Sequence, residues 1–155
     1  MSAVVPDREA MHEFGAELAR ALRPGDLVVL TGPLGAGKTT LVQGLAQGLG
    51  VRGAVTSPTF VIARVHPSTV GGPALVHADA YRLGSALELD DLDLDASLPD
   101  SVTVVEWGEG LVESLADDRL EIRITRSSGD EDENRTVDLA GRGPRWAGVA
   151  LPGAG

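Results

Sequence analysis

Gly32-Pro33-Leu34-Gly35-Ala36-Gly37-Lys38-Thr39 matches the pattern G-x-x-x-x-G-K-[ST] of a P-loop, a turn that wraps around phosphate groups. Its glycines allow the backbone to approach an anion closely, so that several N–H groups point inward. Among the 13 basic residues of the chain, Lys38 is the only lysine. Its compact ammonium can reach the outer phosphates, and the hydroxyl of Thr39 can bind Mg²⁺. The stretch therefore predicts a site for a nucleoside triphosphate and its metal.

The segments on either side of this stretch have the patterns of a strand and a helix. Residues 26–31 form a short, mostly apolar run that is typical of a buried strand. After the loop, Leu41, Val42, Leu45 and Leu49 recur at helical spacing. Glycine makes up 20 of the 155 residues, so glycine spacing alone carries little weight. The order strand, loop, helix favours a nucleotide site over a structural glycine-rich turn.

Length and composition limit the possible functions. A chain of 155 residues is long enough for one domain with its own core and too short for two. No run approaches the ~20 apolar residues that cross a bilayer, and residues 1–10 lack the features of a signal peptide. The absence of cysteine excludes disulfides and fits a cytoplasmic location. The net charge of −10 disfavours direct binding to a nucleic-acid backbone, so we expect any contact with RNA to run through a partner.

The rest of the chain alternates predicted helices and strands. Asp7 is a candidate N-cap of a first helix. The apolar face of this helix is expected to contain Met11, Phe14, Leu18 and Leu22. The other predicted elements are a hairpin of residues 60–65 and 74–80, short helices within 85–100, a buried strand at 101–105, a helix at 109–115 and a hairpin of 119–126 and 135–139. We predict one domain over residues 1–140 and a flexible tail over residues 141–155.

Two acidic residues follow or end predicted strands that could neighbour the P-loop strand. Glu106 follows the apolar run at 102–105, and Asp79 lies in the segment His-Ala-Asp-Ala-Tyr-Arg at 77–82. Nucleotide-bound Mg²⁺ takes one or two protein oxygens, and ligands of open α/β sheets bind at the carboxyl ends of strands. Strand alternation places His77 on the same face as Asp79. We expect His77 to form a hydrogen bond rather than to bind a ligand. The sequence leaves open which acid binds the metal directly.

Four motifs in this order resemble one family, the TsaE (or YjeE) family of small ATPases in bacterial tRNA threonylcarbamoyladenosine modification. The resemblance extends from about residue 24 to residue 109. It comprises the P-loop, Ser-Pro-Thr-Phe at 57–60, the pattern H-x-D-x-Y-R-L at 77–83, and Glu106-Trp107. Each motif alone is modest evidence, whereas four in this order within a chain of this size are specific.

The resemblance implies a single-domain P-loop α/β fold with a central mixed β-sheet flanked by helices. It also implies binding of ATP and Mg²⁺, weak ATPase activity alone, and association with the proteins TsaD and TsaB, with tRNA contacted only indirectly. Carried over by motif, Thr59 would contact the γ-phosphate or its metal, Asp79 would hold Mg²⁺ through water, and Glu106 would help to activate the attacking water. The expected catalytic residues are Glu106, Thr59 and Lys38, and the expected metal-binding residues are Thr39, Asp79 and Glu106. The expected nucleotide-binding residues are Gly32, Pro33, Leu34, Gly35, Ala36, Gly37, Lys38, Thr39 and Thr40.

Two other functions are compatible with a P-loop. A small-molecule kinase needs a lid with arginines and an acceptor pocket, and no arginine cluster follows the predicted P-loop helix. A non-hydrolysing switch that docks on another protein would bind nucleotide in the same way and would differ only in turnover. The two alternatives are therefore separated from an ATPase by the fate of the γ-phosphate.

Overall fold

The computed structural model describes residues 2–32, 37–51, 63–79, 100–106, 118–126 and 135–149. The strands in these ranges are β1 (Ser2–Val5), β2 (Leu27–Thr31), β3 (Ala63–His66), β4 (Ala74–Asp79), β5 (Ser101–Glu106), β6 (Arg119–Arg126) and β7 (Arg135–Arg142). The α-helices are α1 (Arg8–Leu18) and α2 (Lys38–Leu49), and short 3₁₀ helices lie at Ala19–Ala21 and Pro144–Trp146. No helix in these ranges is both long and apolar enough to cross a membrane.

The described strands form one seven-stranded mixed sheet in the order β1-β7-β6-β2-β5-β4-β3. The central strand β2 is parallel to both neighbours, β5 and β6, and β4 is parallel to β5. The pairs β3–β4 and β6–β7 are antiparallel hairpins, as the sequence predicts. Strand β1 pairs antiparallel with β7 at one edge, and its four residues are too few to show strand alternation in the sequence. The predicted α/β fold with a central mixed sheet is confirmed.

Helix α1 begins where the sequence predicts and buries the predicted face. The carboxylate of Asp7 accepts a hydrogen bond of 2.8 Å from the backbone N–H of Ala10, which caps the helix. The predicted apolar residues Met11, Phe14, Leu18 and Leu22 are all buried. The α-helix itself ends at Leu18, and a 3₁₀ turn at Ala19–Ala21 continues it.

The helices α1 and α2 approach each other through glycines. A Cβ atom on Gly44 of α2 would lie 2.0 Å from the carbonyl oxygen of His12, and one on Gly15 of α1 would lie 2.2 Å from that of Leu41. Both distances are far below van der Waals contact, so only glycine permits this packing. Leu41 and Leu45, also on α2, are fully buried in the main core. The P-loop helix is therefore fixed by a close contact with α1 and by burial of its own leucines.

An ion pair joins the turn before β2 to the C-terminal 3₁₀ helix. Arg145 donates to Asp26 from Nε to Oδ1 at 2.8 Å and from Nη2 to Oδ2 at 2.9 Å. The backbone N–H of Arg23 also donates to Asp26 Oδ2 at 2.8 Å. Only 3% of the Asp26 side chain and 12% of the Arg145 side chain are exposed, and Trp146 is buried. The paired, largely buried charges hold residues 144–146 against the start of the central strand.

Several predicted features differ from the structure or lie outside its described ranges. Strand β7 continues to Arg142, beyond the predicted end at residue 139, and packed residues continue as far as Val149. The boundary between a domain and a flexible tail at residue 140 stays a prediction. The helices predicted within 85–100 and at 109–115, and residues 150–155, lie outside the described residues.

Replacement of Gly44 by alanine tests the close contact between the two helices. Helix propensity alone would make alanine more stable than glycine by about 1 kcal/mol. Overpacking costs about 1–3 kcal/mol, and a Cβ 2.0 Å from the His12 carbonyl must separate the helices. With the propensity gain subtracted from this cost, we expect Gly44→Ala to lower the free energy of unfolding in urea by about 0–2 kcal/mol. The exposed Gln47→Ala on the same helix should change it by less than about 0.5 kcal/mol. A Gly44→Ala protein more stable than the parent would contradict the packing described.

Candidate functional site

The carboxyl ends of three parallel strands meet at one edge of the sheet. Leu30 of β2 pairs with Glu106 of β5, and Glu106 pairs in turn with Asp79 of β4. Strand β2 ends at Thr31 and is followed directly by Gly32, the first residue of the P-loop motif. The register therefore brings the motif and the two predicted acids to the same edge, where open α/β sheets bind their ligands.

Helix α2 begins at this edge with an N-terminus suited to an anion. Gly37 has φ +104° and ψ 16°, a left-handed conformation that L side chains rarely adopt, and it precedes the first helical residue, Lys38. A Cβ on Gly37 would also lie 3.2 Å from Cε of Met11 on α1. No side chain forms a capping hydrogen bond at this N-terminus within the described part of the chain. The backbone N–H groups of the first turn, together with the helix dipole, favour a negatively charged group there.

The only lysine of the chain is withdrawn from solvent. Lys38 is 8% exposed, and its ammonium donates a hydrogen bond to the backbone carbonyl of Gly32 at the start of the motif. Buried ammonium groups are costly unless hydrogen bonds or opposite charges compensate them. The chain therefore holds a positive charge between the first residue of the loop and the start of α2, where the motif places phosphates.

The hydroxyl residues of the motif lie in the first turn of α2. Thr39 is half-buried and Thr40 is buried. Within the described ranges, no group of three or more His, Asp or Glu residues could hold a metal ion by itself. The described oxygen donors at this edge, Thr39 and Glu106, suit Mg²⁺ that also takes phosphate oxygens, because Mg²⁺ is commonly bound by few protein groups.

A buried histidine–carboxylate pair lies beside the end of β5. Nε2 of His77 is 2.5 Å from Oε2 of Glu106, and the two residues are 0% and 4% exposed. The sequence predicts His77 as a hydrogen-bonding strand residue, but local pattern does not identify its partner. The partner follows from the register of β4 and β5, in which the Asp79–Glu106 pair lies next to the His77–Val104 pair on the same face. A correct prediction of this register would have identified Glu106 as the partner.

The structure brings together most of the predicted site. Gly32, Gly37, Lys38, Thr39, Thr40 and Glu106 lie at the edge described above. Of Asp79, the backbone position in the ladder is described, next to Glu106. Pro33, Leu34, Gly35, Ala36 and Thr59 lie outside the described residues, so their predicted roles stay predictions. The P-loop sequence and the strand–loop–helix order around it define an α/β protein of the P-loop class.

Comparisons with known proteins agree on one family. The family model described as threonylcarbamoyl adenosine biosynthesis protein TsaE matches residues 5–137. The tRNA threonylcarbamoyladenosine biosynthesis protein TsaE of Streptomyces coelicolor is 67% identical over 139 residues, which cover 88% of this chain and 94% of the relative. The protein of the same description from Bacillus subtilis is 43% identical over 112 residues, covering 72% of this chain and 68% of the relative. The chain therefore belongs to the TsaE family, which is named for tRNA threonylcarbamoyladenosine biosynthesis.

A solved structure is similar over nearly the whole chain. The crystal structure of YdiB from Bacillus subtilis superposes with a TM-score of 0.75 at 32% sequence identity. The superposition covers 95% of this chain and 88% of the other. The likeness thus includes the C-terminal hairpin as well as the residues around the P-loop.

Proposed function

We propose that this chain is the ATP-binding and ATP-hydrolysing component of a machinery that makes threonylcarbamoyladenosine in tRNA, and that it acts in the cytoplasm. The proposal rests on one observation: the buried Lys38, the N-terminus of α2 and Glu106 lie at the same edge of the sheet. A cation, a row of backbone N–H groups and a carboxylate are the groups that phosphoryl transfer to water requires. Membership of the TsaE family supports the assignment to threonylcarbamoyladenosine biosynthesis.

The triphosphate would be bound by the backbone N–H groups of the P-loop and of the first turn of α2. The ammonium of Lys38 would exchange its bond to the Gly32 carbonyl for bonds to the outer phosphates. Thr39 and Asp79 would hold Mg²⁺, which neutralises charge on the phosphate oxygens when bound. Glu106 is less suited to direct metal binding, because its Oε2 already faces Nε2 of His77.

Hydrolysis would use Glu106 as the base that activates water. The water oxygen forms a bond to the γ-phosphorus while one water proton passes to the Glu106 carboxylate, and the bond from phosphorus to the bridging oxygen breaks with its electrons remaining on ADP. Thr59, from the Ser-Pro-Thr-Phe segment, would contact the γ-phosphate. No arginine finger is identifiable from the sequence; Arg82 is a candidate in cis, and a structural role for it is an equal alternative. If the stimulating group comes from a partner, turnover by the chain alone is slow.

The partners we propose are TsaD and TsaB. The chain carries a net charge of −10, which repels a phosphate backbone, so contact with tRNA would run through these partners.

Replacement of Lys38 by alanine tests nucleotide binding. Hydrogen bonds to charged groups contribute about 1.5–3 kcal/mol, which corresponds to a loss of roughly 10- to 150-fold in affinity. Calorimetry with Mg²⁺–ATP should show this loss, or no measurable heat, for Lys38→Ala. As a control, Arg142→Ala removes a positive charge whose side chain is 59% exposed, and it should bind as the parent does. Equal affinity of Lys38→Ala and the parent would refute the assigned site.

Replacement of Glu106 by glutamine separates binding from hydrolysis. The amide keeps the size of the side chain but cannot take a proton from water, and general bases contribute about 10²- to 10⁴-fold to rate. We expect single-turnover hydrolysis to fall at least about 100-fold while the dissociation constant for ATP changes less than about threefold. Glu121→Gln on β6, a half-buried surface carboxylate, is the matched control and should hydrolyse at the parent rate. Full turnover by Glu106→Gln would remove Glu106 from the mechanism.

The partner requirement is tested by phosphate release in the presence of TsaD and TsaB. We expect their addition to raise turnover at least about tenfold, since a group supplied in trans can accelerate phosphoryl transfer strongly. The same mixture with Lys38→Ala gives the background from the partners themselves. An unchanged rate would favour a non-hydrolysing switch, and label transferred to a small molecule instead of phosphate would favour a kinase.

A further inference from the structure

The contact between His77 and Glu106 runs diagonally from strand β4 to the neighbouring strand β5. In the ladder of β4 and β5, His77 pairs with Val104, and the next pair on the same face is Asp79 with Glu106. The imidazole reaches forward from β4 so that Nε2 lies 2.5 Å from Oε2 of Glu106. Both side chains are withdrawn from solvent, with exposed fractions of 0% and 6%. The pair is therefore a buried contact beside the P-loop edge, and solvent cannot replace the histidine as a donor to Oε2.

The two ring nitrogens of His77 differ in their hydrogen-bond partners. In a pair with an ionised carboxylate, which only accepts hydrogen bonds, Nε2 is the nitrogen that donates to Oε2. Nδ1 is buried and has no hydrogen-bond partner in the part of the chain that the structure describes. In the neutral Nε2–H form of the ring, Nδ1 is an acceptor without a hydrogen, which leaves no buried N–H unpaired.

This arrangement is unfavourable for stability by itself. A buried nitrogen without a partner loses its bond to water, and a buried carboxylate loses its hydration. An apolar pair at these two positions would avoid both costs. Stability therefore does not explain why the pair is present. Its position in the ladder, beside the P-loop, is consistent with a role in function.

We propose that His77 is a positioning residue for hydrolysis, holding Oε2 of Glu106 so that Oε1 faces the attacking water. This inference rests on the proposed ATPase function and deepens it. Of the described residues, His77 is the one that hydrogen-bonds the Glu106 carboxylate, so Oε1 remains for another contact. A hydrogen bond to one oxygen restrains rotation of the carboxylate, which would favour the geometry of a general base before ATP binds.

Two amide substitutions at position 77 test the proposal. The amide nitrogen of glutamine can occupy the place of Nε2 and donate to Glu106, whereas the shorter asparagine cannot reach it. We expect His77→Gln to keep single-turnover hydrolysis within about threefold of the parent. We expect His77→Asn to slow hydrolysis about 10- to 100-fold, the range typical of residues that orient a functional group. The dissociation constant for ATP should change less than about twofold in both variants, because His77 is not among the residues that we propose to bind the phosphates.

A double variant separates positioning from a structural role. If His77 acts through Glu106, His77→Asn should slow the Glu106→Gln protein no further, since residues that act as a unit are not additive. Thermal unfolding of each variant identifies any that fails to fold. If the double variant with asparagine does not fold, a double variant that combines His77→Leu with Glu106→Gln is measured instead, because leucine and glutamine leave no buried charge at these positions. A further loss of rate in the double variant would overturn the inference.

The outcomes distinguish failure of this inference from failure of the proposed function. If the parent hydrolyses ATP, Glu106→Gln does not, and His77→Asn is as fast as the parent, the positioning role is wrong and the ATPase assignment stands. Equal slowing by His77→Gln and His77→Asn would also overturn it, because the donor would then be irrelevant. No hydrolysis by the parent with its partners present, or full hydrolysis by Glu106→Gln, would refute the function on which the inference rests.

Discussion

Backbone hydrogen bonds from β4 through β5 to β2 hold three strand ends level at one edge of the sheet, and every group of the site depends on this alignment. The register pairs Asp79 with Glu106 and Glu106 with Leu30, directly before the P-loop. A slip of β5 by one residue would turn Glu106 toward the opposite face of the sheet. The chemistry of the site is thus a consequence of parallel pairing, because the three segments are far apart in sequence.

The second requirement is a fixed position for α2. Gly44 and Gly15 allow α1 and α2 to touch through backbone atoms, and Leu41 and Leu45 anchor α2 in the core. At the opposite end of β2, the buried pair of Asp26 and Arg145 ties the start of the strand to the C-terminal 3₁₀ helix. Gly32 and Lys38, at the two described ends of the P-loop motif, thereby adjoin a strand and a helix that are each fixed elsewhere. The backbone N–H groups of the first turn of α2 can therefore be oriented before a ligand arrives.

Local signals predicted the elements more successfully than their partners. The Asp7 cap, the apolar face of α1 and both hairpins follow from spacing of a few residues, and the structure has them. The extent of β7 and the burial of Trp146 were missed, because the segment after residue 140 is rich in glycine and has no strand or helix periodicity. Its packing comes from Arg145, whose partner Asp26 lies 119 residues away. Strand β1 was missed because its four residues are too few to show alternation, and its partner β7 lies near the other end of the chain.

By itself, the sequence determined a phosphate loop between a buried strand and a helix, a lone lysine within it, and two acids at strand ends. These follow from local chemistry: glycine allows close backbone approach, and apolar spacing selects helix or strand. Only the tertiary structure decided that β2 lies between β5 and β6, that Glu106 stands level with Asp79, and that His77 bonds Glu106. Strand order and register are set by burial and backbone pairing summed over the whole sheet, which no short window of sequence contains.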